Sequence, residues 1–267
     1  MANPISNFSR APTVRFFTEQ CPVHGEIDGA EVEQFDGSML VRNCKRCMWE
    51  ALNMAPRGSD SRGRAIACRE SERLSTALIG SGITPRFAGC TLENFRTEGN
   101  LSAVKALSTC KAYVDQFEEN HKAGRSLILS GNVGTGKTHL GSGMVQEVIR
   151  RHGAGALIVA VAEIVRVARG TMAKAATYTD RDVLNELASL DLLVIDEVGA
   201  QKGSDYELGL LHEIIDKRYQ LVLPTVLISN LATADLSRYI GDRALDRLRQ
   251  NGGQAVGFTW SSMRATA

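Results

Sequence analysis

The chain has 267 residues, of which 43% are hydrophobic and 23% are charged, and its formal net charge is +1. This composition is typical of a globular protein and argues against a disordered or fibrous chain. The small net charge also excludes a molecule whose whole surface attracts nucleic acid or an anionic membrane. The length allows one sizeable core together with a small accessory module.

The sequence lacks the patterns of secreted and membrane proteins. The first twenty residues contain no central apolar run of the kind found in secretory signals. The longest apolar stretch, 156–165, is interrupted by Glu163 and is too short to span a bilayer. We therefore expect a cytoplasmic protein with no membrane partner. In that compartment, the six cysteines favour metal binding or packing over a disulfide framework.

Two pairs of metal-ligand residues occur within the first 54 residues. Cys21 and His24 form one pair, Cys44 and Cys47 form the other, and 19 residues separate the pairs. Such pairs close two tight turns about one tetrahedral Zn²⁺, and a module this small needs the metal in order to fold. We predict a structural zinc site. Scattered cytosolic thiols with an incidental histidine are the alternative.

A polar, basic stretch follows these pairs. Residues 55–64 combine Pro, Gly, Ser and Arg with nothing to bury, which is typical of a flexible linker. The wider stretch 42–73 carries eight basic residues against four acidic ones, so it could contact phosphate. A solvated polar face is an equally good interpretation. The three cysteines without metal-ligand spacing are predicted to pack as apolar side chains, and they are Cys68, Cys90 and Cys110.

From about residue 100, apolar runs of strand length alternate with helical patterns. A helix is predicted over 101–121, with Val104, Leu107, Val114 and Phe117 on one face. Strands are predicted at 126–130, 156–161, 192–195, 225–229 and 255–259, and further helices at 137–151, 183–190, 208–215 and 242–249. This alternation predicts an α/β fold, with a parallel sheet between two layers of helices.

A glycine-rich segment joins the first of these strands to the helix at 137–151. It matches the P-loop pattern G-x-x-x-x-G-K-[ST], and its residues are Gly131, Asn132, Val133, Gly134, Thr135, Gly136, Lys137 and Thr138. Glycines let backbone N–H groups surround phosphates, and the helix N-terminus attracts them. We expect Lys137 to contact the β- and γ-phosphates and Thr138 to bind Mg²⁺. An accidental glycine-rich turn is the alternative.

Two carboxylates end the strand predicted at 192–195. Asp196 and Glu197 follow four apolar residues, at the strand end where ligands of open α/β sheets bind. We expect Asp196 to hold Mg²⁺ and Glu197 to deprotonate an attacking water, which predicts an ATPase rather than a kinase or a switch GTPase. An acidic helix cap is the alternative.

Further polar residues follow the later elements. Asn230 ends the strand at 225–229, where its amide would contact the γ-phosphate or the water, although an asparagine that starts a turn is common. Arg243 and Arg247 lie four residues apart on one face of the last predicted helix. A guanidinium stabilises charge on the transferred phosphoryl group and can come from a neighbouring subunit. Solvated surface arginines are the alternative.

Two loops are candidates for contact with DNA. The loop after Glu197 contains Lys202, Ser204 and Tyr206, which combine a basic group with a stacking ring suited to single-stranded DNA. The stretch 169–181 is the second candidate because it contains further basic residues. An ordinary surface loop is an equally good interpretation of each.

An ordered set of segments resembles the AAA+ ATPase domain of DnaC-type replicative helicase loaders, in the group of DnaC, DnaI and IstB. The resemblance covers about residues 80–264, and its segments are 81–85, 92–95, the P-loop, 192–198, 227–230, 241–248 and 258–260. The P-loop occurs in many families, whereas this order of segments is specific.

The resemblance implies a role for each matching position. Walker A would be 131–138, Walker B would be 192–197 and sensor 1 would be Asn230. Arg247 would be an arginine finger that acts on a neighbouring subunit, with Arg243 beside it, and Arg264 would match the sensor 2 arginine. A finger of this kind requires self-assembly into a ring or spiral.

The resemblance also implies a function and a division of the chain. The function would be ATP-dependent loading or remodelling of a replicative DNA helicase, with binding of single-stranded DNA. An IstB-type transposition helper and a nucleotide-switched adaptor with negligible hydrolysis are the alternatives. We predict a zinc-binding, partner-recruiting module over 1–54, a linker with a helix over 55–85 and an AAA+ ATPase domain over 86–267.

Overall fold

The structure of the protein is a computed structural model, and it describes residues 8, 11–42, 44–171, 177–201 and 203–266. The chain divides into two compact units. We call Arg10–Ile79 the N-terminal unit, and Gly80–Ala267 together with Met1–Ser9 the P-loop unit. Among the described helices, none is long and apolar enough to cross a membrane.

The N-terminal unit contains a small antiparallel sheet and two helices. Its elements are β1 (Val14–Cys21), β2 (Gly25–Glu33), β3 (Met39–Arg42), α1 (Lys45–Asn53) and α2 (Asp60–Ile79), with the strands in the order β1-β2-β3. The sequence did not predict these strands. Phe16 in β1 is 81% exposed, so the strand lacks the alternation of buried apolar and exposed polar residues that marks a half-buried strand.

The stretch predicted to be a flexible linker is partly helical. Residues 60–64 form the first turn of α2, and Asp60 places a carboxylate at the positive end of the helix dipole. Farther along α2, Ala65, Leu78 and Ile79 are buried. The prediction of a flexible segment over 55–64 is therefore wrong for its second half, because this helix buries apolar residues that lie beyond the polar stretch.

The P-loop unit contains a five-stranded sheet between helices. Its elements are α3 (Leu101–Asp115), α4 (Phe117–Ala123), β4 (Leu127–Gly131), α5 (Lys137–His152), β5 (Ala156–Ala160), α6 (Val161–Gly170), α7 (Asp180–Ser189), β6 (Leu192–Val198), α8 (Asp205–Gln220), β7 (Thr225–Ser229), α9 (Ser237–Ile240), α10 (Asp242–Arg249) and β8 (Gln254–Phe258). The strand order is β5-β6-β7-β4-β8, and every neighbouring pair is parallel. This confirms the predicted α/β fold with a parallel sheet.

The helix predicted over 101–121 differs from the observed one in two ways. The helix breaks at Gln116, whose φ of −101° and ψ of 25° are not helical. Within the predicted apolar face, Val114 and Phe117 are buried as expected, whereas Val104 is 45% exposed. The residues that α3 buries are Ala103, Ala106, Cys110, Tyr113 and Val114. Three of these residues, Ala103, Ala106 and Cys110, have small side chains, and a pattern built on the larger apolar side chains missed them.

The carboxyl ends of the parallel strands meet at one edge of the sheet. The strands β4, β6 and β7 are buried along nearly their whole lengths, so they belong to the core of the P-loop unit. The P-loop follows β4, Asp196 and Glu197 lie at the end of β6, and Asn230 follows β7. The fold therefore brings together polar residues that are up to a hundred positions apart in sequence.

Candidate nucleotide-binding site and metal cluster

The P-loop holds the Lys137 side chain inside the loop. Its Nζ donates hydrogen bonds to the carbonyl oxygens of Gly131 at 2.9 Å and of Asn132 at 2.6 Å. Lys137 is only 4% exposed. Burial lowers its pKa to about 8, and Arg264 adds to this shift while Asp196 opposes it. The ammonium group is thus paired with carbonyls that phosphate oxygens could replace.

The P-loop glycines have no room for a side chain. Gly136 has a φ of 89°, and a Cβ there would lie 2.6 Å from the Phe95 ring. A Cβ on Gly131 would lie 2.3 Å from the carbonyl oxygen of Phe258. Both positions therefore need glycine, for conformation and for close approach. The loop conformation depends on residues far from it in sequence.

Thr138 and Asp196 join the P-loop to the end of β6. The Thr138 hydroxyl donates to Asp196 Oδ2 at 2.8 Å, and the Glu197 N–H donates to Asp196 Oδ1 at 2.7 Å. Asp196 is 7% exposed, and burial raises its pKa while these two hydrogen bonds lower it. A hydroxyl beside a carboxylate is an all-oxygen donor set, which fits a hard divalent cation such as Mg²⁺.

Glu197 has a backbone conformation that is uncommon for its residue type. Its φ is +60°, and the pairing of β6 with β7 is irregular between Ile195 and Val198. A bulge of this kind re-aims one side chain of a strand. The Glu197 side chain is exposed, next to the buried Asp196. The sequence predicted that Glu197 lies at the end of a strand, and it contains no signal for the bulge.

A cavity of about 540 Å³ lies at this edge of the sheet. The predicted residues that line it are Val133–Thr138, Asp196, Glu197, Asn230 and Arg264. The structure adds residues that sequence reasoning had not assigned to the site, and those from one stretch of the chain are Arg86, Phe87, Cys90, Asn94, Phe95 and Arg96. We call this cavity the nucleotide cleft. The added residues combine aromatic and basic side chains in one wall.

Helix α5 holds this aromatic wall in place. Its His139 Nε2 lies 2.9 Å from the carbonyl oxygen of Thr91, and its Gln146 Nε2 donates to the carbonyl oxygen of Cys90 at 2.7 Å. The Phe95 ring meets the His139 ring edge-on, with centroids 5.4 Å apart. Since α5 begins with the P-loop lysine, one helix positions both the phosphate loop and the facing wall.

The two arginines of α10 do not line the nucleotide cleft. Arg247 forms an ion pair with Asp216, and its guanidinium lies 5.3 Å from the centre of the Tyr219 ring. Arg243 is exposed. Neither of these described arginines lines the cleft, whereas Arg264 does. The predicted roles of all three stay predictions.

The predicted DNA-contact residues have structural contacts of their own. The Ser204 side chain caps α8 by accepting a hydrogen bond from the Glu207 N–H at 3.4 Å. The Tyr206 ring lies 5.5 Å from the Arg169 guanidinium. Lys202, like the segment 172–176 within the second candidate loop, lies outside the described residues. Contact with DNA stays a prediction for both loops.

The four predicted zinc ligands form one cluster in the N-terminal unit. The donor atoms of Cys21, His24, Cys44 and Cys47 all lie within 4.8 Å of one another. The Sγ atoms of Cys21 and Cys47 are 3.5 Å apart, and His24 Nδ1 lies 3.3 Å from Cys47 Sγ. These separations suit a tetrahedral ion with metal–ligand distances of about 2.0–2.3 Å. The cluster could therefore hold zinc.

Further groups orient these ligands. His24 Nε2 lies 3.0 Å from Glu50 Oε1, so the carboxylate can hold the ring with Nδ1 directed at the cluster. Backbone N–H groups of Val23 and His24 lower the pKa of Cys21 to about 6, which favours its thiolate. Sequence reasoning missed Glu50. Its position on α1 after Cys47, one turn along the helix, was the signal that could have found it.

Comparison with known proteins identifies the family. The family model of IstB-like ATP-binding proteins matches residues 91–256. The chain belongs to this family. Over 185 residues it is 36% identical to the replicative helicase loader DnaC of Escherichia coli K12, covering 69% of this chain and 73% of that protein. Over 192 residues it is 35% identical to DnaC of Buchnera aphidicola subsp. Schizaphis graminum, covering 72% and 76%.

Solved structures with the same fold agree with this assignment. The crystal structure of the DnaC helicase loader matches with a TM-score of 0.58 and 22% identity, covering 65% of this chain and 99% of that one. The crystal structure of DnaI matches with a TM-score of 0.56 and 21% identity, covering 68% and 94%. The P-loop unit of this IstB-like ATP-binding protein therefore has an AAA+ core. The predicted resemblance to the DnaC, DnaI and IstB group is confirmed.

Proposed function

We propose that this protein hydrolyses ATP and thereby loads or remodels a replicative DNA helicase. Glu197 carries the proposal, because its carboxylate is exposed at the nucleotide cleft and its backbone has a φ of +60°. Such a conformation costs about 1–3 kcal/mol, and strain of this kind clusters at active sites. A carboxylate aimed into the cleft beside a buried aspartate is suited to deprotonate water rather than to bind the cation.

Five residues of the cleft would each have a separate role in hydrolysis. The Lys137 ammonium group would exchange its loop carbonyls for the β- and γ-phosphates. Thr138 and Asp196 would hold Mg²⁺, which neutralises phosphate charge when bound. Glu197 would orient the attacking water and accept its proton, while Asn230 would contact the water or the γ-phosphate from the next strand end.

We propose that a neighbouring subunit completes the site. Arg243 and Arg247 do not line the cleft of their own protomer. A guanidinium that enters a neighbour's cleft would stabilise the charge that develops on the transferred phosphoryl group. In a ring or spiral, Arg247 would exchange its ion pair with Asp216 for this phosphoryl group. Arg264 would act within its own chain.

The helicase is the partner best supported by the relatives. The DnaC proteins that match most of this chain are named as replicative helicase loaders. We propose that the N-terminal unit, with its metal cluster, recruits the helicase. Single-stranded DNA would contact the loop of Lys202, Ser204 and Tyr206 within the assembly, through charge and stacking.

Two other functions share the nucleotide cleft. An IstB-type helper that recruits a transposase is the second candidate, and the match to IstB-like ATP-binding proteins favours it. A nucleotide-switched adaptor would bind ATP without appreciable turnover. The conformation of Glu197 favours hydrolysis over such an adaptor.

The hydrolysis proposal is tested with Glu197→Gln. The amide keeps the shape of the side chain and cannot accept a proton from water, so we expect ATP binding with turnover lowered by about 10²–10⁴-fold. Phosphate release and calorimetric ATP binding are the measurements. Glu213→Gln, which changes an exposed carboxylate of α8, is the matched control. Normal turnover in Glu197→Gln would refute the role of this carboxylate as the base.

The partner is tested by co-purification of the full chain with the replicative helicase and the transposase of the same host. We expect retention of the helicase by the wild type and its loss with Cys44→Ser, whose cluster lacks one ligand. Lys137→Ala is the control, because it alters the cleft and leaves the cluster intact. Retention of the transposase alone would establish the second candidate instead.

A further inference from the structure

The segment that follows β8 is fastened to the P-loop. The Asn132 side chain donates from Nδ2 to the carbonyl oxygens of Thr259 and Trp260, both at 3.1 Å. Farther along, the Met263 N–H donates to the carbonyl oxygen of Gly134 at 2.9 Å. We call residues 259–264 the C-terminal strap. Contacts near both ends of the strap mean that it runs along the first half of the loop rather than leaving it.

Close packing between strap and loop supports these hydrogen bonds. A Cβ on Gly134 would lie 2.1 Å from Ser262 Oγ, so the strap occupies the space that a side chain would need. Trp260 is only 7% exposed, and its ring centroid lies 4.8 Å from that of Phe258 in β8. The buried indole fixes the start of the strap on the body of the P-loop unit.

The strap brings a second cationic side chain to the cleft. Arg264 lines the nucleotide cleft together with Lys137 and Asp196. Its positive charge contributes to the lowered pKa of Lys137, for which burial is the larger cause. Two cations that share one cleft repel each other until an anion enters between them. The position of Arg264 relative to the loop therefore matters for binding of a polyphosphate.

Asn132 contacts both the Lys137 ammonium group and the C-terminal strap. Its carbonyl oxygen accepts the 2.6 Å hydrogen bond from Lys137 Nζ, and its side chain holds the strap. When phosphates attract the Lys137 ammonium group, this carbonyl loses one of its two donors and keeps the Thr135 hydroxyl, which donates to it at 2.7 Å. One residue therefore connects the Lys137 ammonium group with the segment that carries Arg264.

We propose that Asn132 is a positioning residue, which fastens the C-terminal strap so that ATP binding at the P-loop and the placement of Arg264 are coupled. The effect on turnover rests on the proposed function, whereas the effect on ATP affinity does not. The side-chain amide is essential to this role, because only a donor can join two carbonyl oxygens. Asn132→Leu keeps a similar shape and removes the donor.

A double-mutant cycle on the full chain tests the coupling. ATP affinity is measured by calorimetry for the wild type, Asn132→Leu, Arg264→Gln and the double variant. We expect each single variant to bind ATP about tenfold more weakly, which corresponds to about 1.4 kcal/mol. If Asn132 acts through Arg264, the double variant binds no more weakly than Arg264→Gln. A hundredfold loss in the double variant, or unchanged affinity in Asn132→Leu, would overturn the proposal.

Fluorescence of the strap gives a second readout. The sequence contains two tryptophans, so Trp49→Phe leaves Trp260 in the strap as the single reporter. We expect ATP to change its emission in this background and Asn132→Leu to abolish the change. Asn53→Ser, in the N-terminal unit, is the control that should keep it. An equal response with and without the Asn132 amide would contradict the coupling.

Two further measurements keep the outcomes distinct. Circular dichroism establishes whether Asn132→Leu is folded, and Asn132→Ala, which also lacks the donor, replaces it in both assays if it is not. Phosphate release by the wild type is measured in parallel. Binding of ATP without turnover would refute the proposed hydrolysis, while the affinity cycle and the Trp260 signal would still decide the role of Asn132.

Discussion

The two units of this chain are stabilised by different means. In the P-loop unit, the strands β4, β6 and β7 are buried along nearly their whole lengths and pack against helices. In the N-terminal unit, most of β1 is exposed or half-buried, and α1 has no buried residue. The metal-ligand cluster lies in the unit that leaves large apolar side chains such as Phe16 and Trp49 exposed. A unit too small to form a sufficient core needs another source of stability, and a bound metal is one.

Removal of metal should produce the largest difference between the units. We expect chelation to unfold the N-terminal unit and to leave the P-loop unit folded, because structural zinc contributes about 10–16 kcal/mol in small zinc domains. Trp49 lies in the first unit and Trp260 in the second, so wild type and Trp49→Phe together report each unit by fluorescence. Elemental analysis measures the metal. Absence of zinc together with an unchanged Trp49 signal would show that the unit folds without it.

A milder change sharpens the same test. Glu50→Gln leaves the four ligands in place and weakens the hold on His24 Nε2. Loss of such an outer contact lowers metal affinity by about 10–100-fold, which competition with a chromophoric chelator measures. Glu26→Gln, at an exposed carboxylate of β2, is the matched control. Equal affinities in the two variants would mean that Glu50 does not orient the histidine.

The contrast also explains what the sequence could predict. The Cys/His cluster, the P-loop and the Asp196–Glu197 pair were predicted because their chemistry requires particular residue types at short spacings. The alternating strands and helices of the P-loop unit were found because their burial leaves a period in the sequence. The strands of the N-terminal unit bury too little to leave one, so β1 with its exposed Phe16 was missed.

The remaining parts of the cleft depend on contacts between distant residues. Phe95 meets the P-loop beside Gly136, and Asn132 reaches the carbonyl oxygens of Thr259 and Trp260. No local pattern marks such pairs, because each residue is unremarkable among its own neighbours in sequence. The bulge at Glu197 likewise depends on the pairing of β6 with β7, two strands that are distant in sequence.

A buried arginine makes several hydrogen bonds inside the P-loop unit. Arg218 is fully buried, and its guanidinium donates to the carbonyl oxygens of Leu187 and Leu190 at 2.8 Å and to the Thr225 hydroxyl at 3.0 Å. It also donates to the Pro224 carbonyl oxygen at 2.6 Å. Burial lowers its pKa, and coulombic effects of Tyr113 and Asp191 oppose this shift. One side chain therefore joins α7, α8 and the start of β7.

Replacement of this arginine tests whether the P-loop unit needs the polar contacts. We expect Arg218→Met to lower the free energy of unfolding by about 3 kcal/mol, because several buried acceptors lose their donor. Arg218→Lys keeps the charge but cannot reach all the acceptors, and should have an intermediate effect. Urea unfolding followed by Trp260 emission in Trp49→Phe is the measurement. Unchanged stability of Arg218→Met would assign the unit's stability to its apolar core alone.

The smallest expected effect concerns the charge buried in the nucleotide cleft. Burial lowers the pKa of Lys137 to about 8, so the free protein loses this positive charge as pH rises through that value. Bound phosphates favour the charged form, and the proton must then be restored on binding. Affinity for ATP should therefore be about tenfold weaker at pH 9 than at pH 7. Calorimetry with Glu197→Gln, in which turnover is suppressed, measures the change.

Lys137→Arg is the control, since a guanidinium stays charged over this range. The affinity of this variant for ATP, although lower, should not vary with pH. An equal fall in both variants would place the titrating group elsewhere in the cleft, and a flat wild-type profile would mean that the loop carbonyls of Gly131 and Asn132 keep Lys137 protonated despite its burial.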